Sequence, residues 1–457
     1  MSVIQRLLSN TFLAFASNLI MKMSSTFLFI FVGRLLGTEA AGTYNLGITY
    51  FTVIFGLSAW GLQELLVREV APRPAESGRY LINYVVMRLF LAGLFYGLLW
   101  GGLRWVLPYS ADTERVILVL ALAIFPEAVF GLLHSLFVAH ERMGVPAVAA
   151  VVNSLFKLGG GGALLWWGGD LERVAWAVPV GSLLSLVVFV VALPWLWRAV
   201  PQAVPARLSW SFSREQLRFT KGFVVIHLFT ILDFQADTFL LSLYLNEVAI
   251  GWYGAAQTVM LGFWMMPIAI RTALYPVMSR YYLEDRGRLQ QLHQKAETYL
   301  PMLILPMAAG VALLAEPIIL LIFDESFVVG TPALQCMIWA VVLAVMNVPN
   351  ARLMLVHNKQ VVAGWVTGGS MVLNIGLNIW LIPRYGIVGA SLARVLATGF
   401  LFACLRWYVQ RYIWRTSLVQ ILARPLLAVT VMGLAVWPWR EALLVWPVLV
   451  GVVVYGG

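Results

Sequence analysis

The chain has 457 residues, of which 61% are hydrophobic and only 11% charged, with a mean hydropathy of +0.85. A soluble globular domain carries roughly 25% charged residues, so that class is excluded. The net charge of +10 is not a nucleic-acid signal, because the basic residues fall mostly in short segments between apolar runs and do not alternate with aromatics.

Apolar segments of about 20 residues recur from end to end, each long enough to cross the hydrocarbon core of a bilayer. A transmembrane β-barrel would show alternating segments of ~10 residues, and these are absent. The expected fold is an all-α polytopic membrane protein with about fourteen transmembrane helices. In chain order the spans are 10–33, 40–66, 80–103, 115–139, 145–168, 173–197, 219–243, 249–276, 297–322, 331–356, 361–383, 386–409, 420–438 and 440–457.

At the N-terminus Arg6, an apolar run and "AFAS" imitate a secretory signal. The run continues through Lys22 to Val32, so an uncleaved first span is expected. The longest connection, 198–218, contains prolines and arginines and reads as a linker followed by an interfacial helix. Cys336 and Cys404 both fall in apolar spans and read as core residues rather than a disulfide or a metal pair. The last span ends at "VVVYGG" with no basic anchor, so the natural chain is expected to continue past Gly457.

The connections alternate in charge. One set, which includes Arg6, Arg68, Arg73, Arg79, Arg142, Arg207, Arg280, Arg286, Lys359, Arg406, Arg411, Arg415 and Arg424, carries nineteen basic residues. The other set, Arg34, Arg104, Arg115, Arg173, Arg384 and Arg440, carries six. Positive charge marks the cytoplasmic side, so both termini are expected there.

Two stretches echo one another. "LGTEAAGTYNLG" (36–47) matches "LNEVAIGWYGAA" (245–256) through Gly42/Gly251 and Tyr44/Tyr253. Later, His140 matches His357 and Gly169 matches Gly386, both at an offset of 217. Two copies of a six-span unit are expected. An even number of spans makes them parallel repeats about an axis along the membrane normal. The expected divisions are an N-lobe at 1–205, a C-lobe at 206–410 and an extra helix pair at 411–457.

"GRLLGTEAAGTYNLGITY" (33–50) and "GWYGAAQTVMLGFWMMPIAIRTALYPVMSRYY" (251–282) resemble corresponding regions of the polysaccharide flippases. These belong to the multidrug/oligosaccharidyl-lipid/polysaccharide exporter (MOP) superfamily. "LPMAAGVALLAEPIILLIFDESF" (305–327) and "NIGLNIWLIPRYGIVGASLA" (374–393) are similar to later stretches of the same family. The resemblance implies two six-helix lobes around a central cavity, working by alternating access. It implies a polyprenyl-pyrophosphate-linked oligosaccharide as substrate, turned from the cytoplasmic to the outer leaflet of a bacterial or archaeal plasma membrane. The expected partners are the lipid-linked glycan, membrane lipids and polysaccharide-assembly proteins, with no nucleic acid. The multidrug exporters and the peptidoglycan-precursor flippase of the superfamily are the nearest alternatives. No sizeable catalytic loop and no nucleotide-binding P-loop is visible, so an enzyme is not expected.

Charged residues inside the spans are the candidate site, because a charge at mid-bilayer costs ~2.5–3.5 kcal/mol on insertion scales. Lys22 lies twelve residues from Arg34, roughly 18 Å along a helix, too far for its stem to reach the interface. Given the resemblance, Lys22, Arg271 and Lys157 are expected to hold the pyrophosphate. Asn18 and Ser25 share the Lys22 face. Lys157 has a second reading, as a partner of Glu127. Asp233, Asp237 and Glu127 either carry a coupling H+ or Na+ or neutralise the cations. No other cofactor is expected. Arg88, Arg352, Arg394 and Glu64 read as snorkelling residues or local ion pairs nearer the span ends.

Overall fold

A polypeptide inside a bilayer must satisfy its own backbone hydrogen bonds, and helices do so within one segment. The computed structural model describes residues 3–107, 109–198, 207–219, 221–439 and 445–456, and these contain no strand. Over the described residues, each predicted span falls on helix. The first two fall in α1 (Val3–Ala59) and α2 (Leu62–Val70), and the third in α3 (Ser77–Trp105). The fourth is α4 (Ala111–Ala121) with α5 (Ile124–Ala139), and the fifth α6 (Gly144–Leu155) with α7 (Gly161–Trp166). The sixth is α8 (Leu171–Ala175) with α9 (Ala177–Arg198).

A short helix, α10 (Trp210–Phe219), follows the linker. The seventh and eighth spans are α11 (Lys221–Tyr244) and α12 (Glu247–Glu284), and the ninth α13 (Arg286–Leu313) with α14 (Ala315–Ile322). The tenth is α15 (Thr331–Val356). The next two share α16 (Gln360–Tyr412), and the last are α17 (Leu418–Val436) and α18 (Val445–Gly456). Ten helical stretches of the described residues are long and apolar enough to cross a membrane.

Two of those ten, Ala16–Ala59 and Gln360–Tyr412, are about twice the length a crossing needs. Each breaks at one glycine with a backbone closed to other residues: Gly37 (φ 84°, ψ −175°) and Gly386 (φ 55°, ψ −134°). At the second break the chain folds back on itself. A Cβ on Gly389 would sit 2.7 Å from the carbonyl carbon of Leu381 and 3.1 Å from the nitrogen of Ile382.

Polar residues between spans start the helices. Ser110, Asp170, Asn246 and Asp285 accept from the backbone N–H groups of Thr113, Arg173, Ala249 and Arg288 at 3.0–3.2 Å. Asp324 does the same for Ser326. Cys336 and Cys404 lie half-buried as free thiols.

The chain divides into two compact units, residues 1–239 and 240–457. In the first, Leu62, Leu65, Tyr84, Phe130, Phe137 and Phe189 form a buried cluster. The interfacial helix expected after the linker is α10, and it docks on α3. Asn83 accepts from the Ser209 N–H at 2.9 Å and from the Ser213 hydroxyl at 3.2 Å, and Tyr84 donates to Gln216 at 3.0 Å. In the second unit a cluster around Met278, Leu289, Leu353, Met354 and Leu405 joins α12, α13, α15 and α16.

The loops around His140 and His357 close with the same hydrogen bonds. His140, Glu141 and Arg142 donate to Leu136, Val138 and Phe137; His357, Asn358 and Lys359 donate to Leu353, Leu355 and Met354. Glu141 (φ 58°) and Asn358 (φ 56°) both take the left-handed conformation.

Candidate functional site

Glu127, on the first turn of α5, is the centre of a polar cluster in the first unit. It accepts from Asn153 Nδ2 at 3.2 Å and from Ser182 Oγ at 2.6 Å, so α5, α6 and α9 meet at one carboxylate. Lys157 lies one turn beyond Asn153, 9% exposed, and the Glu127 charge acts on it. The backbone widens to a π-helical turn over Phe156–Gly160, a distortion common at functional sites. Gly181 packs against this turn, since a Cβ there would be 3.2 Å from Asn153 O and Lys157 N. The structure thus brings Glu127 and Lys157 together.

Lys22 is exposed, as is Asn18, with Ser25 half-buried on the same face; Ser17, Ser24 and Leu28 take the buried face. Ser24 bonds Ser154 at 3.2 Å and fixes that rotation of α1 against α6. Asp237 is 2% exposed and Asp233 half-buried, one turn apart on α11, and both have partners.

In the second unit Arg271 is exposed on α12, one turn past Pro267. Arg352, on α15, reaches Tyr275, one turn beyond Arg271 on α12. Its guanidinium is 5.8 Å from the ring centre of Tyr275, and its Nε is buried without a hydrogen-bond partner. Arg352 is therefore no isolated snorkelling residue. It is half-buried beside a like charge, an arrangement that an anion between them would relieve.

Arg88 is a second correction. Instead of snorkelling, it is 0% exposed, lies 4.8 Å from the Phe55 ring centre, and has all three guanidinium nitrogens without a hydrogen-bond partner. The charges of Glu64 and Glu127 act on it. Its distance from Arg79, nine residues or roughly 13 Å of helix, is the signal that places it deep. Arg394 is likewise buried, 8% exposed and partnered.

A further buried group was hidden in the sequence, because Arg406 was counted with the loop cations. Arg406 (6% exposed) pairs with Glu297 (5% exposed) and donates to Thr416 O and Oγ1 at 2.9 and 3.0 Å. Thr416 donates to the other Glu297 oxygen at 2.7 Å, and Asn350 Nδ2 to the first at 3.2 Å. Among the described residues no group of three or more His, Cys, Asp or Glu is placed to hold a metal.

Ten helical stretches fit to cross a membrane, with charges buried among them, mark a multi-pass transporter, and the matches put it in the MOP superfamily. Its fold matches the lipid II flippase MurJ in an inward closed conformation, with a TM-score of 0.74 at 14% identity over 97% of each chain. It also matches an inward-facing multidrug resistance MATE transporter of that superfamily, with a TM-score of 0.71 at 14% identity over 86% of this chain and 95% of the other. The chain belongs to the polysaccharide biosynthesis protein family, whose model matches residues 7–282. The lipid II flippase MurJ model matches residues 171–454. A curated relative, the probable low-salt glycan biosynthesis flippase Agl15 of Haloferax volcanii, is 22% identical over 80% of this chain and 79% of its own.

Proposed function

We propose that the protein flips a polyprenyl-pyrophosphate-linked oligosaccharide from the cytoplasmic to the outer leaflet of a bacterial or archaeal plasma membrane, by alternating access. The observation that carries this reading is the Arg352 guanidinium 5.8 Å from the ring centre of Tyr275, one turn along α12 from Arg271, which sets two cations near one another inside one unit. A diphosphate is the ligand that repays such repulsion, and arginine's planar fork suits its oxygens. The family match and the relative named a glycan biosynthesis flippase support the same substrate class. Lys22 and Arg271 bind the pyrophosphate, with Lys157 held in reserve by Glu127. A cationic site disfavours a cation-exporting drug transporter. Lipid II is the second reading, supported by the MurJ match.

The protein transports and does not catalyse bond chemistry. Asp233, Asp237 and Glu127 carry the coupling H+ or Na+, since a buried carboxylate takes up a cation or proton readily. Both termini face the cytoplasm, a topology supported by nineteen basic residues in one set of connections against six in the other. The matching turns at His140 and His357 support two parallel copies of one unit.

The test is export of lipid-linked glycan by Lys22→Ala and Arg271→Ala variants that still insert. Loss in both is expected; normal export by both sinks the site. Asp233→Asn is expected to flatten the dependence of transport on pH or sodium, and an unchanged dependence removes Asp233 from coupling.

A further inference from the structure

The turn between α16 and α17 borders an open, shallow cavity of ≈ 430 Å³ lined by Trp407, Gln410, Arg411, Arg415, Thr416 and Ser417. No carboxylate lines it. Among the described residues neither Arg411 nor Arg415 has an ion-pair partner, and both are exposed. The cavity is thus a cationic pocket with hydroxyl and amide donors beside the two guanidinium groups. That donor set suits a phosphate.

Its place in the fold says what carries the phosphate. The cavity sits where two membrane-crossing helices end, at the depth of lipid headgroups. Trp407 forms one wall and is 62% exposed; Tyr412 (64% exposed), its ring 6.2 Å from that of Trp407, continues that apolar surface. An inorganic ion has no use for such a flank, whereas a lipid lays its glycerol and acyl chain along it.

The pocket is also braced from behind. Thr416 is fixed by Arg406 and by its own bond to Glu297, and Gln410 Nε2 donates to Thr416 O at 2.8 Å. The buried pair therefore holds the turn that presents Arg415. We propose that this cavity binds the phosphate headgroup of an anionic phospholipid. The site is independent of the substrate-binding cations, all of which lie elsewhere in the chain.

The experiment titrates the full chain in detergent with phosphatidylglycerol or phosphatidylcholine, counts bound lipid by native mass spectrometry, and uses inorganic phosphate as a competitor. One phosphatidylglycerol is expected to bind in preference to phosphatidylcholine. Arg411→Gln/Arg415→Gln is expected to weaken it about 25-fold, fivefold for each arginine near an anionic lipid surface. Arg411→Lys/Arg415→Lys should retain most of the binding. If the double glutamine variant fails to fold, Arg415→Gln alone should still show the fivefold loss. Equal affinity in the glutamine variants and the parent overturns the site. Displacement of the lipid by inorganic phosphate at equal concentration overturns the lipid assignment.

Discussion

Arg406 and Glu297 form an ion pair inside the second unit, with side chains 7% and 4% exposed. One residue comes from the last turns of α16 and the other from α13, and Thr416 of the following turn bonds both. The pair thus joins the helices of the second unit to the segment that leads into α17.

Breaking a buried pair by removing one partner strands the other charge and costs about 3–5 kcal/mol. Arg406→Met and Glu297→Gln are each expected to lower the unfolding midpoint of the purified protein markedly. The double variant should recover part of the loss. Additive losses in a double-mutant cycle would show that the two side chains act separately.

Arg88 makes the opposite case. Its nitrogens bond to nothing, so Arg88→Met removes a buried charge without stranding a donor. Losing a buried charge that makes no hydrogen bond removes its desolvation cost, against the loss of its attraction to Glu64 and Glu127. Thermal unfolding of Arg88→Met should therefore fall much less than that of Arg406→Met, which breaks a hydrogen-bonded pair.

The breaks at Gly37 and Gly386 need glycine. A Cβ at Gly37 meets nothing within 4 Å, so the cost of Gly37→Ala is conformational, about 1–3 kcal/mol. Gly386→Ala is expected to behave alike. Gly97→Ala, an ordinary helical position with open space around it, should leave stability unchanged or slightly raised. Thermal melts of the three variants check the contrast.

His140 and His357, in the two matching loops, predict the response to acid. Burial lowers the pKa of each from the usual 6.5, and neighbouring cations, Arg142 for His140 and Arg286 with Lys359 for His357, add to it. His140 Nε2 bonds Ser77 at 2.9 Å, and His357 Nε2 lies 3.4 Å from Arg286 Nη1. The unfolded chain then takes up protons that the folded one refuses. Stability is complete above the unfolded pKa and falls as the pH drops from 6.5 toward the lower folded values. Denaturation followed between pH 7 and 5 should show this slope, and His140→Gln with His357→Gln should reduce it.

Arg352→Gln should lower the affinity for the glycan lipid without abolishing export, because Arg271 remains. The substrate concentration at half-maximal transport rises while insertion is unchanged. A null effect on that concentration would leave Arg271 as the sole anion contact of the pair.

The helical fold was legible because hydropathy at bilayer length leaves few alternatives, and the described residues of the fourteen spans are helical, two spans sharing α16. The spans ending at 33 and 383 put connections at or beside Gly37 and Gly386, but the backbone geometry of the breaks was less visible. "LLGTEA" and "RYGIVG" contain no proline after the turn and no polar run, so the reversal at Gly386 rests on one φ angle and the close approach at Gly389. Depth alone could rank Lys22 and Lys157, but it misread Arg88 and Arg352. Distance from a span end says how far a side chain is from water; it does not say which way the helix is turned. The helices around Arg88 close over it. Arg406 was missed for the reverse reason: it sits among loop arginines in the sequence, and only Glu297, more than a hundred residues earlier, draws it inside.

The backbone reversal at Gly386 bears on how the molecule can be engineered. Between Leu381 and Gly389 the chain doubles back with main-chain atoms in close approach, and Arg384, just before the bend, donates to Trp380 O at 2.7 Å one turn back. There is no slack in which to splice an epitope or a fluorescent reporter. Inserting even a short peptide between Tyr385 and Gly386 would pry two adjoining spans apart, so reporter fusions belong at another connection.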